Sequence, residues 1–169
     1  MRTRKLLFPL SFFVIIILAW GFDTPVLAET TLKCKSQSAH DGTPVQQIGD
    51  IYYGYHIRNG SVTCDNGETA TYWNCGNYIL TIEKGGFSQG ITVLTFKDSS
   101  KILVKHNQPS RPDPERRVQW LWDYTAEITK GSGRFEGIQG RISISGKQLI
   151  DQQKTAIQEM TIKYTLPPK

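Results

Sequence analysis

A stretch of alternating residues between Val118 and Ile128 limits most strongly what this chain can fold into. Every second side chain of the stretch is apolar, and these side chains are Val118, Trp120, Trp122, Tyr124, Ala126 and Ile128. Polar residues, including Asp123 and Glu127, occupy most of the positions between them. Because side chains alternate between the two faces of a β-strand, the pattern predicts a long strand with one buried face.

The chain from residue 29 onward repeats this pattern more weakly. Shorter alternating runs occur at 78–82, 102–104, 142–144 and 160–166, and no stretch has the sustained apolar spacing of an amphipathic helix. Between the runs lie predicted turns at Asn59-Gly60, Asn66-Gly67, Lys84-Gly85-Gly86, Lys130-Gly131-Ser132-Gly133 and Gly146-Lys147. A proline-containing stretch, 107–117, is the longest predicted loop. Short strands at regular spacing predict an all-β sandwich or barrel of about eight strands.

Residues 1–28 have the parts of a secretory signal peptide. Arg2, Arg4 and Lys5 precede an apolar run at 6–20, and small side chains at Val26 and Ala28 suit a signal peptidase. The run is shorter than the ~18–20 residues that span a bilayer, so it predicts a cleavable leader and no stable membrane anchor. We therefore expect residues 29–169 to form one domain, exported to the periplasm or the extracellular space.

Charge and motifs argue against several function classes. The net charge of +5 includes the basic residues of the leader, and the remaining chain has no basic run, so nucleic acid is not an expected partner. His40, His56 and His106 lack the spacing of metal ligands, so neither a metal nor a cofactor is expected. No nucleophile motif of a known hydrolase type occurs, so the catalytic residues stay unknown and the sequence favours a binding protein over an enzyme.

Three cysteines follow the leader: Cys34, Cys64 and Cys75. In an oxidising compartment the expected arrangement is one disulfide and one free thiol. Cys64 and Cys75 are the nearest pair in the sequence, but all three pairings stay open.

Residues 130–140, Lys-Gly-Ser-Gly-Arg-Phe-Glu-Gly-Ile-Gln-Gly, resemble the glycine-rich hairpin of the allene oxide cyclase barrel-like superfamily. That group contains allene oxide cyclases, dirigent proteins and uncharacterised exported bacterial proteins, and the chain looks most similar to the bacterial members. Similarity extends to 67–72, 95–102 and 164–168. The resemblance implies a single eight-stranded antiparallel β-barrel, a homotrimer as in the characterised branches, and a lumen that handles hydrophobic or phenolic molecules. Phe135 is then expected to plug one end of the barrel.

Trp120, Trp122 and Tyr124 are the candidates for lining a ligand site. Three large aromatic side chains on one strand face can stack on a ligand, but an eight-stranded barrel can also be filled by such side chains. Asp123 and Glu127 are expected at the surface. The favoured function is binding of a small hydrophobic or aromatic ligand in the lumen. The alternatives are a cyclase- or isomerase-like enzyme that steers conformation, and an oligomeric interaction protein without a ligand.

Overall fold

The computed structural model of the protein describes residues 27–41, 45–117, 119–151 and 153–168. The predicted leader up to residue 26, and Val118, lie outside the described residues. Within these described ranges, no helix is long and apolar enough to cross a membrane.

Nine strands make up the described fold. Their bounds are β1 (Thr30–Asp41), β2 (Val45–Ile48), β3 (Ile51–Cys64), β4 (Thr69–Thr81), β5 (Gly85–Phe96), β6 (Lys101–Pro112), β7 (Trp120–Ser132), β8 (Gln139–Gln148) and β9 (Ala156–Thr165). All pairings are antiparallel, and from β3 to β9 each strand pairs with the next one along the chain. β1 pairs with both β9 and β3, which closes the sheet. The predicted all-β, eight-stranded antiparallel barrel is therefore confirmed, with the short β2 as an addition that pairs only with β3.

The predicted alternation of β7 is also confirmed. Trp122, Tyr124 and Ala126 are buried, whereas Asp123 and Glu127 are exposed on the outer face, as expected. The other strands of the barrel alternate in a similar way, whereas the short β2 is exposed throughout, and the inward side chains of the barrel strands form one core. Large side chains of this core include Leu32, Val62, Leu94, Phe96, Ile102, Val104, Ile142, Met160 and Ile162.

One end of the barrel is closed by the glycine-rich hairpin. A 3₁₀ turn at Gly133–Phe135 follows β7 and places Phe135 in the barrel with only 2% of its surface exposed. The Phe135 ring packs against Phe96, with ring centroids 4.9 Å apart, and the Arg134 guanidinium covers both rings. Gly133 and Gly137 have φ of +65° and +75°, a backbone conformation that favours glycine, so they permit this turn. The predicted plug is confirmed.

Two of the predicted glycine turns are wrong. Asn59-Gly60 lies within β3 and Gly146-Lys147 lies within β8. A Cβ atom at Gly60 would lie 2.1 Å from the carbonyl oxygen of Gln37 in β1, so this glycine permits a close approach of two strands and makes no turn. Asn66-Gly67 does form the β3–β4 turn, where Gly67 has φ of +82°.

The predicted loop at 107–117 is wrong in its first half, because β6 continues to Pro112. The register of β6 with β7 covers Lys101–Val104 and resumes only at Arg111. Pro109 falls in this interval and pairs with Phe87 of β5 on its other side. A proline is tolerated in a strand where it has no ladder hydrogen bond to donate, which the composition of the segment did not indicate.

Cys34 and Cys64 form a disulfide, and Cys75 is a free thiol. The prediction of one disulfide and one free thiol is therefore confirmed, and the open choice among three pairings is decided. Cys34 lies opposite Cys64 in the register of β1 with β3. The disulfide thus connects the two strands whose pairing completes the barrel wall.

Candidate functional site in the barrel lumen

The inward side chains change from apolar to polar along the barrel axis. On β6 the inward series runs from Ile102 and Val104 at the closed end to His106, and on β1 it runs from Leu32 to Ser36 and Ser38. In the half nearer the open end, β7 instead presents Trp120 and Trp122 to the lumen. The open half of the lumen is therefore a chamber with polar and aromatic walls above an apolar core.

A cavity of about 310 Å³ occupies this open half. Its walls combine aromatic, amide and cationic side chains, which include Tyr52, His56, Arg58, Asn74, Tyr78, Ser88, Trp120, Trp122, Gln148, Lys154 and Gln158. Ligand pockets start at roughly this volume, so the lumen has room for one small organic molecule.

The structure places the three aromatic candidates of β7 at different depths. Trp120 and Trp122 line the cavity, whereas Tyr124 is buried below it in the core. A Cβ atom at Gly146 of β8 would lie 2.6 Å from Nε1 of Trp122, so the absence of a side chain at this position makes room for the indole ring. A role of these residues in ligand binding stays a prediction.

Asn74 connects two buried histidines beside the cavity. Its Oδ1 lies 2.7 Å from Nε2 of His56, and its Nδ2 donates to the Thr92 hydroxyl at 2.8 Å and lies 3.5 Å from Nδ1 of His106. In this network His56 donates through Nε2 and His106 accepts through Nδ1. The His106 N–H is then at Nε2, which makes no hydrogen bond to the protein.

The three histidines of this region are neutral at physiological pH. Burial, together with the charge of Arg58, lowers the pKa of His56 to about 4. Burial and the nearby His56 lower the pKa of His106 to about 4. The pKa of His40 is likewise lowered to about 4 by burial and by Arg58 and Lys154. All three imidazoles can therefore act as hydrogen-bond donors and acceptors without carrying charge.

Arg58 is a partly buried cation in the wall of the same cavity. It lies in the inward register of β3, and its guanidinium donates to Oε1 of Gln148 and, at 3.1 Å, to the backbone carbonyl of Lys154. Gln148 in turn donates to Oε1 of Gln119. Arg58 thus reaches across the open end of the lumen and is held there by uncharged oxygens.

Several buried polar atoms in or near the cavity have no hydrogen-bond partner in the protein. They are the hydroxyls of Ser36, Ser38 and Ser88, Nε2 of His106 and Nε1 of Trp122. Buried polar groups are nearly always hydrogen-bonded in folded proteins, since an unpaired one is destabilising by about 1–3 kcal/mol. Ser88 and Trp122 belong to the cavity wall, but these two atoms are themselves covered by the surrounding protein.

Sequence reasoning missed the convergence of the histidines. The ring centroid of His56 lies 6.4 Å from that of His40 and 6.5 Å from that of His106, although the three residues are far apart in the sequence. Even so, the described part of the chain contains no group of three or more His, Cys, Asp or Glu side chains that could hold a metal ion. The available signal was strand register, because each histidine continues the inward alternation of its strand.

A cyclase- or isomerase-like enzyme needs a buried ionisable group that faces a cavity. His56 is buried and lines the cavity, so the lumen contains such a group. No residue of the described chain is thereby assigned a catalytic role.

Comparisons with known proteins agree with the barrel. No protein-family model and no curated protein matches the sequence. Among solved structures, the pterocarpan synthase dirigent protein GePTS1 superposes with a TM-score of 0.54 at 12% identity, over 83% of this chain and 92% of that chain. The pterocarpan synthase dirigent protein PsPTS1 superposes with a TM-score of 0.54 at 11% identity, over 84% and 97%.

A protein of unknown function from the DUF3224 family of Shewanella oneidensis MR-1 is also similar. Its TM-score is 0.49 at 15% identity, over 85% of this chain and 99% of that chain. At such identities the two dirigent structures establish the fold alone: this chain has a β-barrel fold similar to theirs. The resemblance seen in residues 130–140 is confirmed to that extent.

Proposed function

We propose that this protein is an exported β-barrel that binds a small hydrophobic or aromatic molecule in the open half of its lumen. The supporting observation is the cavity of about 310 Å³ whose walls include Trp120 and Trp122. Aromatic walls stabilise an apolar ligand by burial and stacking, and polar side chains of the same walls, such as Gln148 and Gln158, can orient it. Export is supported by the disulfide, since such bonds persist in oxidising compartments.

A neutral aromatic probe tests the binding proposal. We expect 2-naphthamide to bind the mature protein in isothermal titration calorimetry and to change its tryptophan fluorescence. Trp120→Ala should weaken this binding at least ~5-fold, because it removes a cavity wall. Leu121→Ala is the matched control, since Leu121 is the next residue of β7 and lies on the outer face. Equal affinities of the two variants would place the probe outside the lumen.

The outer face of β3, β4 and β5 supports a second role, in self-association. Its residues in outward register are Ile51, Tyr53, Tyr55, Ile57, Asn59, Ser61, Thr63, Thr71, Trp73, Cys75, Asn77, Ile79, Phe87, Gln89, Ile91, Val93 and Thr95, and none is charged. Ile79 and Phe87 of this set are 49% and 44% exposed. Other strands of the barrel, β1, β7 and β8, carry outward charges such as Lys33, Glu127 and Arg141.

An uncharged apolar face of this extent is typical of a protein interface. We propose that it packs against further copies of the same chain in a homotrimer, because a surface without charge is complementary to an equally uncharged one. Sedimentation velocity should give a trimer for the native sequence and for Ser145→Lys on the outer face of β8. Ile79→Lys should give a monomer. A monomer of the native protein at about 10 µM would refute self-association.

A further inference from the structure

We propose that the lumen selects aromatic molecules that carry a carboxylate, and that Arg58 is the residue that binds this anion. The inference rests on the proposed lumen function and adds the chemical class of the ligand. It starts from an imbalance of charge: the cavity walls contain the cations Arg58 and Lys154 but no Asp or Glu.

Arg58 has no counter-charge in the described part of the protein. The ion pairs found there join Arg117 to Glu115, and Arg134 to Glu68 and Asp98. The partners of Arg58 are the side-chain oxygen of Gln148 and a backbone carbonyl, both of which are neutral. A partly buried guanidinium that has no counter-charge is destabilising, and a bound anion relieves that penalty.

The histidines near Arg58 carry no positive charge that could bind the anion in its place. His40 and His56 are held neutral, so they leave Arg58 and the more exposed Lys154 as the positive groups at the open end. Asp41 is the acidic residue of β1, the strand that pairs with β3 beside Arg58. Its side chain is exposed and does not line the cavity. The chamber therefore has a positive potential that attracts an anion.

The strands that carry the aromatic walls and the cation lie on opposite sides of the barrel, but the Arg58 guanidinium extends across the lumen to Gln148, which lies opposite Trp120 in the register of β7 with β8. Arg58 belongs to β3, and Trp120 and Trp122 belong to β7. In the closed barrel three strands lie between β3 and β7 on each side: β4, β5 and β6 in one direction, and β8, β9 and β1 in the other. A ligand can therefore place its ring against the indoles while its carboxylate meets the guanidinium. The planar fork of arginine matches the two oxygens of a carboxylate, which lysine does not reproduce.

A pair of nearly isosteric probes tests the inference. 2-Naphthoate and 2-naphthamide share the ring and differ in the charge of the substituent, and both are titrated calorimetrically into the mature protein. We expect naphthoate to bind at least ~10-fold more tightly than naphthamide, as charge-assisted hydrogen bonds are markedly stronger than neutral ones. This comparison needs no variant, so it holds even where a substitution impairs folding.

Variants then identify the residue that causes the preference for naphthoate. Arg58→Gln should reduce naphthoate affinity to that of naphthamide and leave naphthamide affinity within about 2-fold. Arg58→Lys should recover only part of the preference, because it restores charge without the fork. Arg141→Gln is the matched control, since it removes the same charge from the exposed outer face of β8.

The outcomes separate the two proposals. Equal binding of the two probes, or a loss of both in Arg58→Gln, would overturn the anion selectivity and leave lumen binding standing. If Arg141→Gln also removes the preference for naphthoate, the preference comes from the general charge of the protein. That result would overturn the assignment of anion selectivity to Arg58. If neither probe binds, the lumen function itself fails.

Discussion

Removing the disulfide between Cys34 and Cys64 should destabilise the barrel strongly. The bond lies at the β1–β3 junction, so without it these strands are held together by ladder hydrogen bonds and packing alone. Both cysteines are buried in the folded protein, with 4% of the surface of Cys34 and 5% of the surface of Cys64 exposed. Alanine is the appropriate replacement for both, because serine would add buried hydroxyl groups to an apolar core.

The magnitude follows from the loop that the bond closes. The two cysteines are 30 residues apart in the sequence. In the chain-entropy description a loop of that length removes about 12 cal/mol/K from the unfolded chain, or about 3.6 kcal/mol at 25 °C. For a domain of this size the loss corresponds to a fall in Tm of roughly 12 °C.

Guanidinium unfolding of the native protein and of Cys34→Ala/Cys64→Ala measures this difference. The native protein unfolded in the presence of a reductant should approach the double variant, and Cys75→Ala should stay within about 1 kcal/mol of the native protein, because Cys75 is unbonded. A double variant within about 1 kcal/mol of the native stability would contradict the argument that the bond constrains the unfolded chain.

Two further predictions concern the lumen. His106 has a folded-state pKa of about 4 against 6.5 for an unperturbed imidazole, so its contribution to stability is complete above about pH 6.5 and is lost as the pH falls to 4. The free energy of unfolding in urea should fall between pH 7.5 and pH 4.5, and this fall should be smaller for His106→Gln than for the native protein, by up to about 3 kcal/mol. An identical fall in both proteins would exclude a buried neutral His106. Phe135→Ala should lower the free energy of unfolding by about 3–5 kcal/mol because it opens the closed end, whereas Phe87→Ala on the outer face should lower it by less than about 1 kcal/mol. Similar losses for the two phenylalanine variants would show that Phe135 is not a core plug.

Local patterns predicted the parts of the fold that depend on neighbouring residues. Alternation identified the buried side of β7, and Asn66-Gly67 identified a hairpin, because both features follow from the geometry of a few consecutive residues. The same reasoning failed at Gly60, where the need for glycine comes from Gln37 on another strand. A glycine that makes room for a distant segment is indistinguishable from a turn glycine in the sequence.

The candidate site was harder to predict than the fold. Trp120 and Trp122 were identified because they belong to the most regular strand, but Arg58, His56 and His106 were not. Their proximity depends on which strands are neighbours and on the register between them. Neither can be predicted from the alternation of residues within a single strand. A search for polar residues that continue an inward alternation, such as His106 after Ile102 and Val104, would have found them.

The pairing of β1 with β9 has a consequence for how the protein is made. The barrel closes only when the N-terminal strand meets the C-terminal one, as in the pairing of Leu32 with Ile162. A chain that is still being synthesised lacks β9, so its sheet stays open with two unpaired edges until the last strand emerges. The Cys34–Cys64 bond lies within the first strands and can form before that moment. Closure of the barrel therefore waits for the end of synthesis, and an open sheet with unpaired edges is prone to aggregation.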